Sequence, residues 1–235
     1  MGGSGYHVGA RLRRTTRGAR MVKLARFLIP VFIGLWSVPA SATFTGLIQI
    51  PIAYCLDPGR YELDLQWNGR FDALAVNGSF VNTQFGLAPR VEAGVDFDLT
   101  PHSGGIAIGN IKYLFAESAD SPFGAAVGVS TLATDQATSC YVVGSARFST
   151  FDGHVGVLHS AGENSVMLGY DQFLTSRLIL MADYISGSEN YSAVGVVYEI
   201  RRPFFLQAAC LIPNQAEGDL QFQVLFTLFG PFSLK

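Results

Sequence analysis

Ten charged residues recur at alternate positions inside otherwise apolar stretches: Glu62, Asp64, Glu92, Asp96, Asp98, Lys112, Arg147, Asp171, Asp183 and Glu199. All but Lys112 and Arg147 are carboxylates. If they line a water-filled passage, their chemistry is electrostatic, because rings of carboxylate favour cations over anions. If they pair with Lys112, Arg147 and neighbouring groups, they fill an interior that conducts nothing. The sequence leaves both readings open. A second chemistry to weigh is nucleophilic. His159 and Ser160 adjoin, with Asn164 nearby, but a serine nucleophile needs a base and an orienting group converging in space, which neighbours in sequence rarely achieve. No fuller hydrolase motif surrounds them, so no catalytic residue and no enzyme activity are expected. His7, His102, His154 and His159 show no HxxxH or HExxH spacing, and Cys55, Cys140 and Cys210 are odd in number and far apart. Neither set makes a metal site or a disulfide framework. There is no P-loop and no GxGxxG opening a helix, so no cofactor and no metal are expected.

The elements that position these charges are legible between Ser165 and Ile200. Val166, Leu168 and Tyr170 alternate with Met167, Gly169 and Asp171; Leu178, Leu180, Ala182 and Tyr184 with Ile179, Met181 and Asp183; Val194, Val196 and Tyr198 with Gly195, Val197 and Glu199. Leu174-Thr175-Ser176 and Gly187-Ser188-Glu189-Asn190 interrupt the pattern. Period-two alternation broken by short turns predicts antiparallel strands with two unlike faces. The same pattern predicts strands over 60–71, 79–88, 91–99, 106–115, 122–132, 139–149, 152–160, 203–212 and 219–229. In each, one face is free of charge. The total is about twelve, an even number as single-chain bacterial barrels have, and each strand matches the ~9–11 residues of a tilted membrane crossing.

Composition points the same way. Of 235 residues, 49% are hydrophobic and only 14% charged, against roughly 25% charged in soluble domains. After the N-terminal region no apolar run approaches the ~20 residues of a spanning helix. A net charge of −2 conceals a division. Arg11, Arg13, Arg14, Arg17, Arg20, Lys23 and Arg26 all precede residue 27, and every Asp and Glu follows Leu56. The body beyond residue 42 is strongly acidic and should not bind nucleic acid.

Residues 1–20 are Gly- and Arg-rich and read as a non-native or mis-started extension before Met21. Residues 21–42 have the form of a signal peptide: Lys23 and Arg26, an apolar core from Phe27 to Val38, and an Ala40-Ser41-Ala42 cleavage site. An N-terminal anchor helix is the alternative. Residues 43–59 form a distinct leading segment that contains Gly46, Leu47, Ile48, Pro51, Ala53 and, after Asp57-Pro58, Gly59. In these residues the chain resembles the YjbH-like bacterial outer-membrane β-barrels. The resemblance implies an association with exopolysaccharide export, with the leading segment lying in or near the barrel mouth.

The expected fold is all-β: a single antiparallel up-and-down transmembrane β-barrel over residues 60–235. An exposed apolar face of this extent exceeds what a soluble monomer tolerates, whereas lipid rejects charge and demands a closed strand ladder. Tyr61, Trp67, Tyr113, Tyr170, Tyr184 and Tyr198 fall near strand ends, as interfacial aromatic girdles do. With the N-terminus in the periplasm, turns near Pro89, Glu117–Ser121, Thr150–Asp152, Leu174–Ser176 and Arg201–Pro203 face the periplasm. Those near Asn77, His102, Ala133–Ser139, Ala161–Asn164, Gly187–Asn190 and Asn214–Gly218 face outward. The expected partners are outer-membrane lipid, the outer-membrane assembly machinery and polysaccharide-export components. The expected role is envelope transport or exopolysaccharide export; a structural or partner-docking barrel is the alternative.

Overall fold

A computed structural model describes residues 45–101, 103, 105–117, 122–134 and 137–233. The expected extension over 1–20, the expected signal peptide over 21–42 and the turn residue His102 lie outside the described residues. The described residues form twelve strands: β1 (Arg60–Arg70), β2 (Ala75–Ala88), β3 (Val91–Asp98), β4 (Ala107–Glu117), β5 (Phe123–Leu132), β6 (Ser139–Arg147), β7 (Asp152–Ser160), β8 (Glu163–Phe173), β9 (Leu178–Ile185), β10 (Tyr191–Arg201), β11 (Phe204–Pro213) and β12 (Gln221–Pro231). Each pairs antiparallel with its sequence neighbours, and β1 pairs with β12 from Arg60↔Pro231 to Arg70↔Gln221, so the sheet closes. Closure leaves no strand edge with unpaired backbone groups. At the seam, the Tyr61 ring lies over Gly230, where an added Cβ would sit 2.4 Å from it.

The alternation reads directly as inside and outside. In β3 and β4, Glu92, Asp96, Asp98, Ile108, Asn110 and Lys112 are buried, while Val95, Phe97, Ile111, Tyr113 and Phe115 are exposed. Exposed Val127, Val142, Val155, Leu168, Val196 and Leu206 continue the apolar surface around the barrel. The barrel has two rims. The proximal rim carries the start of β1 and the turns before β3, β5, β7, β9 and β11; the distal rim carries the other turns.

Two turn expectations change. The first turn lies at 71–74, not near Asn77, and β2 begins at Ala75. Asn77-Gly78 has turn chemistry, but a register shift at Asn68/Gly69 lets the ladder absorb it, and Gly78 pairs with Asn68. The β7–β8 turn is tighter than 161–164: Ala161 and Gly162 both have positive φ, and Ser160 pairs with Glu163. This is the mirror-image two-residue turn that matches strand twist.

Candidate functional site: a hairpin held inside the lumen

Residues 45–56 do not stop at the barrel mouth. They enter the lumen from the proximal rim as a miniature hairpin. Gly46 and Pro51 form an antiparallel bridge. The Leu47 N–H donates to the Ile50 carbonyl at 3.0 Å, and the Ile52 N–H to the Thr45 carbonyl at 3.4 Å. A peptide this short has too few internal bonds to stand alone; the wall supplies the remainder.

Glu92 grips both ends of the segment. Its carboxylate accepts from the Thr45 N–H at 3.3 Å, the Thr45 hydroxyl at 3.1 Å and the Leu56 N–H at 3.0 Å. The Lys112 ammonium lies 2.8 Å from the same carboxylate and donates to the Thr45 carbonyl at 3.0 Å. Both side chains are 0% exposed, so each charge depends on the other. Glu62 lies beside this cluster, 3.5 Å from the Thr45 hydroxyl.

Asp183 holds the tip. One oxygen accepts the Ile48 and Gln49 N–H groups, each at 2.8 Å, and the other accepts the Gln49 side-chain amide at 3.0 Å. Two successive N–H groups on one carboxylate oxygen form a strong charge-assisted clamp.

The third anchor joins three strands. Ser145 accepts the Ala53 N–H at 2.8 Å, and its own hydroxyl lies 2.7 Å from His154 Nδ1. His154 Nε2 lies 2.9 Å from Asp171. While accepting from Ala53, Ser145 keeps its own proton to give to Nδ1. The tautomer that accepts there carries its proton on Nε2, toward Asp171. The residues are those of a serine hydrolase, but here the Ser145 oxygen is 3% exposed as a residue and already bonded to a backbone amide. The arrangement fixes Ala53 in place. Sequence reasoning passed over Ser145 and His154. Only the register joins them: Ser145 and His154 are cross-strand partners, and Asp171 is two residues beyond Gly169, the partner of His154.

Apolar packing completes the socket. Ile50 and Ala53 pack with Leu114, Ala126, Tyr141, Val143, Met167 and Ile185. Ile48 packs with Met181, Ala193, Ala209 and Leu211. Two inward glycines give the segment room. A Cβ at Gly86 would lie 2.2 Å from the Asp57 carbonyl oxygen, and one at Gly169 would lie 2.6 Å from Ile50 and 2.7 Å from Leu47.

The other charges divide by height. Asp64, Asp96 and Asp98 are buried on the wall beside Gln66, Asn82 and Gln84. Arg147 sits near the proximal rim, 3.4 Å from Asp152, with its guanidinium 5.2 Å from the centre of the Tyr54 ring. Glu199 pairs with Arg202 at 3.2 Å, also at that rim. Of the girdle residues, Tyr61, Tyr113, Tyr170 and Tyr198 lie toward the proximal rim, and Trp67 and Tyr184 toward the distal one. His159 and Ser160 diverge: His159 meets Asn164 at 2.9 Å, whereas Ser160 meets Ser139 at 2.7 Å. On the distal rim, Arg70 bridges Asp72 at 2.6 Å and Asp219 at 3.0 Å, and its hydrogen bond holds the Asp72 carboxyl below the usual carboxylate range. Among the described residues no group of three His, Cys, Asp or Glu side chains is placed to hold a metal ion.

No family model matches the chain, and no curated protein matches it in sequence. Solved structures match its fold. One is "KdgM porin", at 10% identity and a TM-score of 0.52, with 74% of this chain and 99% of that one covered. Another is "KdgM porin in complex with disordered oligogalacturonate", at 9% identity, a TM-score of 0.52 and the same coverage. At such identity the likeness concerns the fold: a closed antiparallel barrel of porin type.

Proposed function

We propose that this protein is an outer-membrane barrel of envelope transport whose passage is closed, at rest, by its own residues 45–56. The observation that carries the reading is the sorting of charge. Buried carboxylates line the interior, and the outward surface is apolar over the full circumference of a ladder with no open edge. A charge facing lipid at mid-depth costs about 2–4 kcal/mol for Arg or Lys, and water would leave that belt exposed. The porin-type fold supports the same class. The chain carries out no chemistry of its own in this reading.

The cargo follows from charge. Beyond the Glu92–Lys112 pair, Glu62, Asp64, Asp96 and Asp98 give the opened lumen an acidic wall that prefers cations or neutral solutes and repels polyanions. A polyanion such as the oligogalacturonate bound to KdgM porin is therefore a poor cargo here. The leading segment's resemblance to YjbH-like barrels favours polysaccharide export as the setting, with export components as partners and a neutral or cation-carrying glycan as cargo. The test is reconstitution of the mature chain into liposomes. The expected result is co-flotation with lipid, resistance to a urea wash, and a boiling-sensitive shift in gel mobility. A protein that stays dispersed without detergent and fails to float overturns the reading.

A further inference from the structure

The two rims differ in charge. Among the described residues, Arg60, Arg90, Arg147, Arg177, Arg201 and Arg202 outnumber Asp57, Glu117, Asp152 and Glu199 at the proximal rim, whereas the distal rim has Arg70 against Asp72, Glu163, Glu189, Glu217 and Asp219. Three of the proximal arginines gather on one arc. The turn at 174–177 and the turn at 202–203 are tied together, since the Glu199 N–H donates to the Arg177 carbonyl at 2.8 Å. Arg177, Arg201 and Arg202 are all exposed. The carboxylate close to them, Glu199, is engaged by Arg202. Arg177 and Arg201 have no ion-pair partner among the described residues. Beside and below them the surface is apolar: Phe173, Leu174, Tyr198 and Ile200 are each between 44% and 50% exposed.

We propose that this arc is a docking site for anionic phospholipid, with the guanidinium groups on the headgroup phosphate and the aromatic and aliphatic shelf against the acyl chains. The proposal rests on the membrane reading above. Guanidinium presents a planar fork that matches phosphate oxygens. Basic residues beside an apolar belt attract anionic lipid, whereas exposed arginines facing only water would need no such shelf. The acidic distal rim repels the same headgroups, so the site also orients the barrel: the proximal rim belongs in the leaflet rich in phosphodiester lipid.

The experiment is native mass spectrometry of the full chain released from nanodiscs of mixed phosphatidylglycerol and phosphatidylcholine. The wild type should retain phosphatidylglycerol over phosphatidylcholine by roughly fivefold or more at low salt. The R177Q/R201Q/R202Q variant should retain the two lipids equally. R90Q, at the β2–β3 turn across the barrel from Arg177, should keep the wild-type preference. Inorganic phosphate in millimolar excess should leave the retained lipid in place, because it lacks the acyl chains that the shelf holds. Equal retention by the wild type and the triple variant, or displacement by phosphate alone, overturns the proposal and leaves the membrane reading intact. Failure of the wild type to enter nanodiscs overturns the membrane reading itself.

Discussion

The inner wall of the barrel has two unlike arcs. From β5 to β10 it sets aliphatic and small groups, Ala126, Val143, Met167, Met181 and Ala193, around the polar clamps Ser145, His154, Asp171 and Asp183. From β12 through β1 to β3 it is amide and carboxylate: Gln221, Gln223, Asp64, Asn82, Gln84 and Asp96. The strands β4 and β11 sit at the borders, with Leu114 beside Lys112 and Gln207 beside Ala209. A lumen built only to pass polar solute would have no use for the first arc. It exists because residues 45–56 carry Ile48, Ile50 and Ala53 into the barrel and need somewhere dry to place them. The second arc bonds partly within itself, as where Asn82 donates to Gln66 and Gln207 to Gln223. Position is set by a few polar clamps, because apolar packing alone is non-directional.

Substitutions can break this division in order of expected effect. Glu92→Ala strikes where the polar arc grips the segment. It strands the Lys112 charge and orphans two segment N–H groups, and should cost about 3–5 kcal/mol in the midpoint of urea unfolding from lipid. Adding Lys112→Met should return much of that loss, because the buried charge is then gone. Asp183→Ala removes the tip clamp from the apolar arc and should cost about 2–3 kcal/mol of hairpin docking. Hydrogen exchange reads it: the Ile48 and Gln49 amides should lose protection while those of β9 keep theirs. Gly169→Leu fills the space of Leu47 and Ile50. It should displace the hairpin at about 1–3 kcal/mol, with no change in the barrel's strand content by circular dichroism. Ser145→Ala is the mildest, about 1 kcal/mol, and should deprotect the Ala53 amide and shift the His154 ring resonances.

The strands were legible because a sheet with one apolar face and one polar face writes its period into every second residue. In β7 the boundaries Asp152 and Ser160 match the sequence reading, and elsewhere most shift by a few residues at frayed or bulged ends. The hairpin was not legible. Thr45 to Leu56 has no period, and its bonds run to residues as distant as Asp183. A proline and several aliphatics suit a mouth-lining strand as well as an inserted loop. The Ser145–His154–Asp171 cluster escaped for another reason. Its members sit on three strands, and only the register brings them together; a slip of one residue would turn His154 outward. His159-Ser160 shows the converse, since adjacency along a strand sends two side chains to opposite faces.

In the proposed function, residues 45–56 close an acidic passage. Planar-bilayer recording of the chain from residue 43, beside the same chain lacking residues 45–56, tests this, with gel mobility confirming that both barrels are folded. The intact protein should stay silent, and the shortened one should conduct with cations favoured over anions. Steady current through the intact chain, or a folded shortened barrel that remains closed, would contradict it.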